Sequence, residues 1–380
     1  MIDIGDASSL NILIADDQAD VLDALRMLLQ PEGMATHPAS SPSAVLDAMS
    51  RRQFDLLLMD LNYARDTTSG REGLDLLSAV RALDAELPVV VMTGWGTMDI
   101  AIEALRHGVR DFVHKPWDND RVVATVRALA ERRRDARRAF TRQERELEDA
   151  RRIQRGLLPA ALPEVPGWEF AAACDEAASV GGDTYDVVRL DAARIAVSIA
   201  DVAGKGIPAA LLAANLQAAV RSSLAVLSDP AEVCASVNRS LCETVPDDRF
   251  VTFFLAVLDI ADGTVRYCNA GHNPPLLVGA DGSATVLSGG GTVLGFDRSP
   301  RYEARTVRML PGSALVLYTD GITEACDDEG EEFGEIRLGA RIAADRQRGA
   351  SAVLESLFGA VRAFSTQRAD DQTVVVISAC

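Results

Sequence analysis

Four aspartates stand where apolar, strand-like runs meet glycine-rich or polar turns. They are Asp183 in VGGDTYD, Asp201 in SIADVAGKG, Asp320 in LYTDGITEA and Asp370 in RADDQTVVV. Because strand ends can meet at one end of a folded core, we expect these four carboxylates to lie close together. Clustered carboxylates repel one another unless cations hold them, and oxygen ligands suit hard divalent ions such as Mg²⁺ or Mn²⁺. Two such ions sharing a carboxylate can activate a water molecule against a phosphate ester.

A second acidic set lies upstream in the chain. Asp16 and Asp17 end the run NILIADD, Asp60 ends FDLLLMD, and Thr93 in VVVMTG and Lys115 in FVHKP follow. A carboxylate that attacks a phosphoryl group must be ionised, and three crowded carboxylates then need a cation beside them. The sequence therefore predicts two phosphate-handling sites that are built on different plans.

The elements that position the upstream set follow a regular alternation. Residues 10–117 alternate short apolar runs, such as NILIA, DLLLM and PVVVM, with amphipathic segments such as VLDALRMLL and GLDLLSAVRAL. Buried runs separated by helical segments are typical of βαβ units around a parallel sheet. We expect five strands and five helices, with the fifth helix beginning near Asp118.

The upstream residues resemble the receiver domain of two-component response regulators over roughly residues 10 to 130. The resemblance implies a flavodoxin-like α/β domain with a five-stranded parallel sheet, phosphorylated by a cognate histidine kinase. By position, Asp60 would be the phosphoacceptor, Asp17 a direct ligand of one Mg²⁺ and Asn62 a ligand through its backbone carbonyl. Asp16 would either bind the ion directly or support the residues that do.

The resemblance also assigns a receiver switch to three residues. Lys115 would supply positive charge, Thr93 would hydrogen-bond a phosphoryl oxygen, and Phe112 stands where the family keeps an aromatic switch residue. Phosphorylation would thus pull the Thr93 loop inward. The loop after Asp60, NYARDTTSGREG, is several residues longer than is usual in the family.

The fifth helix is predicted to continue far beyond the receiver. The positions that keep a 4-3 spacing, without glycine or proline until Gly156, fit a coiled-coil seam. They are Val126, Leu129, Arg133, Ala136, Phe140, Gln143, Leu147, Ala150, Gln154 and Leu157, of which Arg133, Gln143 and Gln154 weaken the seam. Ten arginines and six acidic residues lie between residues 131 and 155, so a solvated rigid spacer is the alternative to a dimerising signal helix. We therefore expect a receiver at 1–120, a helical linker at 121–158 and a second domain at 159–380.

The second domain has seven apolar strand-like runs, from WEFAAAC to TVVVISA, and paired helical segments, which favour a layered α+β fold. Residues 152–379 resemble the bacterial metal-dependent type 2C protein serine/threonine phosphatases of the partner-switching kind. The resemblance rests on RRIQRGLLP, VGGDTYD, ADVAGKGIPAALLAA, NAGHNPPLL, LYTDGITEA and DDQTVVV, in family order. It implies a β-sandwich flanked by helices.

The resemblance assigns two Mn²⁺ or Mg²⁺ ions to this domain. Asp201 would bridge both ions, Asp320 and Asp370 would complete the site of one, and Asp183 with the Val202 carbonyl would support the other. A water molecule between the ions would then attack phosphorus in line, without a covalent enzyme intermediate.

Further residues have supporting roles or open ones. Gly204 and Gly321 allow the backbone to approach a metal or phosphate closely, and Asp371 is expected in a turn or beside the metal ligands. Lys205 is either a phosphate contact or a surface residue.

The leaving-group acid is unassigned from the sequence. Ala203 stands where eukaryotic members of the family have a histidine that acts on the leaving group. His272 in AGHNPP is either a substitute for that histidine or, more in keeping with its neighbours, a residue that fixes a turn.

Composition narrows the class of partner and the cellular location. The chain has 380 residues, a net charge of −18 and six cysteines without a C-x-x-C pair, which argues against a nucleic-acid partner and predicts reduced thiols in the cytoplasm. The most apolar long segment, residues 209–220, is too short and polar for a membrane span, so we expect it to be a buried helix. No basic and apolar leader opens the chain.

The sequence thus predicts a response regulator whose output is a phosphoprotein phosphatase, controlled through the helix by phosphorylation of Asp60. By resemblance, the substrate would be phosphoserine or phosphothreonine on an anti-sigma-factor antagonist or a similar regulatory protein. One alternative is a non-catalytic module that sequesters a signalling partner. A DNA-binding response regulator is disfavoured, because no basic helix-turn-helix follows the linker.

Overall fold

The structure is a computed structural model, and it describes residues 9–63, 71–94, 98–177, 180–245, 249–365 and 369–380. Residues 64–70, which include most of the long loop after Asp60, lie outside the described residues. The chain forms two compact units, Met1–Glu144 and Arg145–Cys380. The boundary between these units falls inside one long helix.

The first unit is a five-stranded parallel sheet with helices between its strands, as predicted. Its strands are β1 (Leu10–Ala15), β2 (Met34–Ala39), β3 (Leu56–Asp60), β4 (Val89–Thr93) and β5 (Asp111–His114). Its first four helices are α1 (Ala19–Leu29), α2 (Pro42–Arg51), α3 (Arg71–Leu83) and α4 (Met98–Arg106). The strand order is β2-β1-β3-β4-β5, which confirms the flavodoxin-like prediction. Every residue of β3 is buried, as expected for a strand covered on both faces.

Helix α5 spans Asn119–Leu157, 39 residues in one element, which corresponds to about 58 Å of α-helix. Its first part packs on the receiver sheet through the buried residues Val122, Val126 and Ala130. Arg133 then donates to both carboxylate oxygens of Asp84, at 2.9 and 3.1 Å. These contacts fix the beginning of the helix to the first unit.

The second unit is a sandwich of two sheets flanked by helices, which confirms the predicted α+β class. One sheet contains β7 (Thr184–Arg189), β8 (Arg194–Val202), β9 (Val251–Asp259), β10 (Thr264–Ala270), β13 (Gly290–Gly291) and β14 (Arg305–Arg308). The other sheet contains β6 (Trp168–Asp175), β11 (Leu276–Val278), β12 (Ala284–Val286), β15 (Ala314–Tyr318) and β16 (Gln372–Ala379). Side chains from both sheets, including Ile199, Phe254, Leu317 and Val375, share one buried core.

Two groups of helices cover this unit, one beside each sheet. Helices α6 (Ile207–Leu224) and α7 (Pro230–Thr244) pack on the first sheet. The short helix α8 (Asp320–Thr323), together with α9 (Gly334–Asp345) and α10 (Ala350–Phe364), lies with the second sheet. The apolar run at 209–220 lies inside α6 with its Ala209, Leu216 and Val220 side chains buried. Among the described helices, none is both long and apolar enough to cross a membrane.

Candidate functional sites

The first site lies at the carboxyl end of the parallel sheet. Asp60 is the last residue of β3, Asp16 follows β1, and Lys115 follows β5. The Lys115 ammonium donates to Asp16 Oδ2 and to Asp60 Oδ2, both at 2.6 Å. One protein cation therefore joins the two buried carboxylates of this site.

Asp16 and Lys115 are partly shielded from water, and this changes their pKa values. Burial raises the pKa of Asp16, although the hydrogen bond from Lys115 opposes the shift. Burial alone would lower the pKa of Lys115, but the hydrogen bonds to Asp16 and Asp60 outweigh it and the pKa is raised. Lys115 therefore stays protonated, as a residue that neutralises a phosphoryl group must.

The other predicted receiver residues surround this pair. Asp17 is exposed beside Asp16, and the backbone amide of Asn62 donates to Asp60 Oδ1 at 3.2 Å. Thr93 ends β4, and its carbonyl accepts from the Lys115 backbone amide at 2.7 Å. Phe112 is half-buried on β5 and packs against the sheet core. The predicted receiver residues thus lie at the carboxyl end of the parallel sheet. Phe112 is on β5, the strand next to β4, which ends at Thr93.

The second site forms where the two sheets of the sandwich meet at one end. Asp201 lies on β8, and Asp183 directly precedes β7 in the same sheet. Asp320 follows β15, and Asp370 precedes β16 in the opposite sheet. Each sheet therefore contributes two of the four predicted carboxylates.

Two threonines connect the sheets at this end. Thr319 Oγ1 and Thr373 Oγ1 each donate to Asp183 Oδ2 at 2.7 Å. Both threonines are buried, and both lie within three residues of a predicted ligand, Asp320 or Asp370. The sequence interpretation missed them, although their adjacency in YTD and DDQT was the available signal.

The four carboxylates interact strongly through their charges. Burial raises the pKa of Asp183 well above its ordinary value, and the charge of Asp201 adds to this. Burial and the charge of Asp320 raise the pKa of Asp201 to about 6. Burial and the charge of Asp370 likewise raise the pKa of Asp320. These shifts mean that the site needs positive charge before all of its carboxylates can ionise together.

The protein supplies only part of that charge. Lys205 pairs with Asp370 at 3.0 Å and donates to the Ala369 carbonyl at 2.9 Å, and 62% of its side chain is exposed. Among the residues described, no three His, Cys, Asp or Glu side chains already surround a common point at ligand distance. The donors are all oxygens, and their mutual repulsion is what a hard divalent cation relieves, so the residues fit the predicted metals.

Glycines let the backbone close around the site. A Cβ on Gly321 would lie 2.0 Å from the Asp371 carbonyl oxygen, and one on Gly182 would lie 2.8 Å from the Val202 carbonyl oxygen. The Val202 carbonyl therefore lies against the segment that carries Asp183. A side chain at either glycine would push these backbone segments apart.

Asp371 holds the segment before Asp183. Its Oδ1 accepts from the Ala177 amide at 2.8 Å, and its Oδ2 accepts from the Gly182 amide at 3.0 Å. The structure therefore gives Asp371 a backbone-holding contact within the site.

His272 is buried behind the site. Its Nδ1 lies 2.9 Å from Thr252 Oγ1, and that hydroxyl donates to the Asp201 carbonyl at 3.4 Å. Asn269 Oδ1 accepts from the His272 amide at 2.8 Å. Burial lowers the pKa of His272 to about 4, so the ring is neutral at ordinary pH.

The end of helix α5 contacts the segment that leads to Asp183. Gln154 Nε2 donates to the Gly181 carbonyl at 2.7 Å, and the Gly181 amide donates back to Gln154 Oε1 at 3.2 Å. Arg151 donates to the buried Glu176 at 2.8 Å, and Gln217 donates to the Leu157 carbonyl at 2.7 Å. Gln154, a position of the predicted coiled-coil seam, is thus hydrogen-bonded to Gly181 of the second unit.

Two family models match the chain. Residues 12–127 match the response regulator receiver domain, and residues 191–379 match stage II sporulation protein E. The two matches fall on the two compact units and confirm the predicted combination of a receiver with a type 2C phosphatase domain.

Similar proteins were found for the second unit. The chain is 30% identical over 224 residues to protein IcfG of a Synechocystis species and 31% identical over 186 residues to phosphoserine phosphatase RsbU of Bacillus subtilis. These alignments cover 51% and 49% of this chain but 35% and 55% of the two relatives. The chain therefore spans about half or less of those proteins.

A solved structure shares the fold of the second unit. The SiaA-PP2C domain of Pseudomonas aeruginosa aligns with a TM-score of 0.57 at 20% identity, over 63% of this chain and 98% of that domain. At this identity the likeness supports the fold, and function has to be argued from the site itself.

Proposed function

Since the chain carries a response regulator receiver domain and a domain of the stage II sporulation protein E phosphatase family, we propose that it is a receiver-controlled, metal-dependent protein serine/threonine phosphatase. The observation that carries the proposal is the meeting of Asp183, Asp201, Asp320 and Asp370 between two sheets. Burial and the neighbouring carboxylate charges raise the pKa values of Asp183, Asp201 and Asp320, as expected for a cluster that is short of positive charge. That shortage is what bound divalent cations would remove.

In this proposal each carboxylate has a defined task. Two Mn²⁺ or Mg²⁺ ions would be held here: Asp201 would serve both, Asp320 and Asp370 would complete the site of one, and Asp183 with the Val202 carbonyl would support the other. When bound, the ions lower the proton affinity of a water molecule and neutralise the phosphate. Thr319 and Thr373 both donate to Oδ2 of Asp183 and so fix the orientation of this carboxylate.

The substrate is a phosphoserine or phosphothreonine side chain on a regulatory protein, such as an anti-sigma-factor antagonist. The similarity to RsbU, which is named a phosphoserine phosphatase, supports this choice of ester. The exposed Lys205 next to Asp370 adds positive charge at the rim, where a phosphoprotein would approach.

The receiver would control this activity through phosphorylation of Asp60. Asp60 and Asp17 with the Asn62 carbonyl would hold one Mg²⁺, and Asp16 would support them. Lys115 and Thr93 then contact the phosphoryl group, and a cognate histidine kinase supplies it. Phe112 lies on β5 and packs in the core cluster that includes Ala104 of α4, so the change would be read by α4 and β5.

The contacts of helix α5 support a physical route between the two units. Gln154 and Arg151 bind the segment 176–183 at its Gly181 and Glu176 ends. A rotation or shift of the helix would therefore move the segment that carries Asp183. Coupling of this kind requires a helix with two arrangements that both sites can bias.

A homodimer through helix α5 is part of the proposal. The seam residue Phe140 is 63% exposed, whereas Val126 packs on the receiver and Gln154 binds Gly181. The free stretch of the seam therefore lies around Phe140 and Leu147. Analytical ultracentrifugation of a Phe140→Glu variant would test whether this stretch pairs two chains.

The enzyme proposal is tested by phosphate release from phosphoserine-bearing proteins with Mn²⁺ or Mg²⁺. Removal of one ligand should cost several kcal/mol of transition-state stabilisation, so Asp320→Asn should lose roughly 10³-fold in rate. Glu355→Gln, an exposed charge removal on α10, is the matched control and should keep the wild-type rate. Tight binding of a phosphoprotein without metal-dependent release would favour the sequestering module instead.

A further inference from the structure

The backbone beside Asp201 carries no side chain that can act on a substrate. Ala203 and Gly204 follow Val202 directly, and they present a methyl group and a hydrogen atom. Gly204 has a φ of +111°, a conformation that side chains disfavour. Any group that acts on the phosphate from this side must come from elsewhere in the fold.

Arg249 fills that place. A Cβ on Gly204 would lie 2.6 Å from Arg249 Nη1 and 3.4 Å from its Cζ, so the guanidinium lies directly over this glycine. Nη1 also donates to the Ala203 carbonyl at 3.3 Å. Glycine at 204 is what allows the guanidinium to lie against the backbone.

The backbone of Arg249 is tied to the strand that carries Asp201. Strand β9 begins two residues later, and in its ladder with β8 Asp201 pairs with Thr252 and Val202 with Val251. The Ala203 amide donates to the Phe250 carbonyl at 3.0 Å. The ladder thus fixes Arg249 next to the residue that is proposed to bridge the metals.

The charge of Arg249 is uncommitted within the described part of the chain. No carboxylate of a described residue forms an ion pair with it, whereas Lys205 is paired with Asp370. A guanidinium has five N–H donors, and to described residues Arg249 makes the one bond to the Ala203 carbonyl. The half-buried position limits competition from water, and a planar fork of donors matches phosphate geometry.

We propose that Arg249 binds the phosphoryl group of the substrate, an assignment that rests on the proposed phosphatase function. Water oxygen forms the new bond to phosphorus and releases one proton to solvent, the bond from phosphorus to the serine oxygen breaks, and that oxygen takes a proton from solvent. Negative charge stays on the phosphoryl oxygens throughout, and the free N–H groups of Arg249 stabilise it. Arg249 forms no covalent bond and gives up no proton.

A purely structural role makes different predictions. In that role Arg249 would only fix the Ala203 carbonyl and, through it, the neighbouring Val202 carbonyl. Its loss would then weaken metal binding and leave phosphate recognition intact. The concentration of Mn²⁺ at half-maximal activity separates the two roles from the kinetics of the substrate.

The test compares the full-length wild type with Arg249→Ala, Arg249→Lys and the control Arg239→Ala, which removes an exposed arginine of α7. Loss of a donor to developing charge costs roughly 10²-fold. We expect kcat/KM of Arg249→Ala to fall by about that factor for p-nitrophenyl phosphate and for a phosphoserine protein alike. Free guanidinium ion should restore part of the rate, Arg249→Lys should retain part of it, and the Mn²⁺ requirement should change by less than about twofold.

A binding measurement accompanies the kinetics. Inorganic phosphate with Mn²⁺ should raise the melting temperature of the wild type and of Arg239→Ala, but not that of Arg249→Ala. An unchanged phosphate-induced shift in Arg249→Ala, or a raised Mn²⁺ requirement as its only defect, would overturn the assignment. A rate loss confined to the protein substrate would also overturn it, because the guanidinium would then contact protein and not phosphate.

The two proposals fail separately. If the wild type releases phosphate from neither substrate, the proposed enzyme function fails. The melting temperature with inorganic phosphate needs no turnover, so it still decides whether Arg249 binds phosphate.

Discussion

The receiver site and the phosphatase site both gather buried aspartates at strand ends, but they differ in how the charge is balanced. In the receiver, Lys115 lies 2.6 Å from both Asp16 and Asp60. In the phosphatase unit, the protein cation in contact with the four aspartates is the exposed Lys205, and it reaches Asp370 alone among them in the described part of the chain. One acidic cluster carries its own cation, and the other has to obtain most of its positive charge from solution.

This difference matches what each site is proposed to do. A phosphoacceptor must keep its aspartate ionised and then bind a phosphoryl group transiently, for which a mobile lysine is suitable. A hydrolytic site needs ions that bind water and phosphate together, and a fixed lysine in the centre would occupy their place. Burial and the charge of Asp320 raise the pKa of Asp201, and among the described residues no lysine is paired with Asp201 to oppose this shift.

Removing one charge should therefore have opposite effects on the two metal-free units. Asp16→Asn removes the charge of the fully buried Asp16 and leaves the half-buried Lys115 with one partner fewer, so we expect it to destabilise the receiver by about 3 kcal/mol. Asp201→Asn relieves repulsion, so we expect it to stabilise the phosphatase unit by about 1 kcal/mol. Amide hydrogen exchange of β1 and β8 in the full chain with a chelator measures both. Destabilisation of both units to a similar extent would remove the distinction drawn between the sites.

The neutral state of His272 is part of the same difference between the two sites. A charged imidazole at this position would give the phosphatase cluster an internal cation, as Lys115 does in the receiver. Burial lowers its pKa to about 4, below the ordinary value of 6.5. The unfolded chain then binds more protons between these values, so the histidine costs stability as the pH falls from 6.5 to 4. The cost reaches about 3 kcal/mol. The free energy of unfolding is measured against pH for the wild type and for His272→Asn. The difference between the two profiles is the contribution of His272, separated from that of the aspartates, whose raised pKa values act in the opposite direction. Parallel profiles for the two proteins would mean that the ring is protonated in the folded state.

Loss of the contact between helix α5 and the segment that carries Asp183 should give the smallest of these effects. Gln154→Leu removes both hydrogen bonds to Gly181, and a loss of about 1 kcal/mol in the positioning of the Asp183 segment corresponds to a roughly fivefold lower phosphatase rate. Glu148→Leu introduces the same side chain at an exposed position of the same helix, outside the seam, and should leave the rate unchanged. Equal rates in the two variants would argue that the Gln154 contact does not hold the catalytic segment.

The fold was largely predictable because its strands are continuous apolar runs. The fifth helix begins at Asn119, next to the predicted Asp118. The short strands β11 to β14 were not predicted. Strand β13 consists of two glycines, and β12 is exposed throughout, so neither has an apolar pattern that local sequence could reveal.

The aspartates of the candidate sites were predictable from their own motifs, whereas their supporting contacts were not. Asp371 binds Ala177 and Gly182, which precede it by 194 and 189 residues, and no local pattern encodes such a pairing. Arg249 likewise meets Gly204 only because β8 and β9 are neighbours in the sheet. Motifs carry the reactive groups, and the tertiary fold decides which arginine or threonine holds them.

Control of one acidic site by the other is tested most directly with beryllofluoride, which mimics a phosphoryl group on Asp60. Metal-dependent phosphate release is measured for the full chain before and after treatment, and binding to the receiver is verified by fluorine NMR. We expect the rate of the wild type to change severalfold and that of Asp60→Ala to stay constant, which excludes a direct effect on the phosphatase site. An unchanged rate in a wild type that has bound beryllofluoride would contradict control through the receiver.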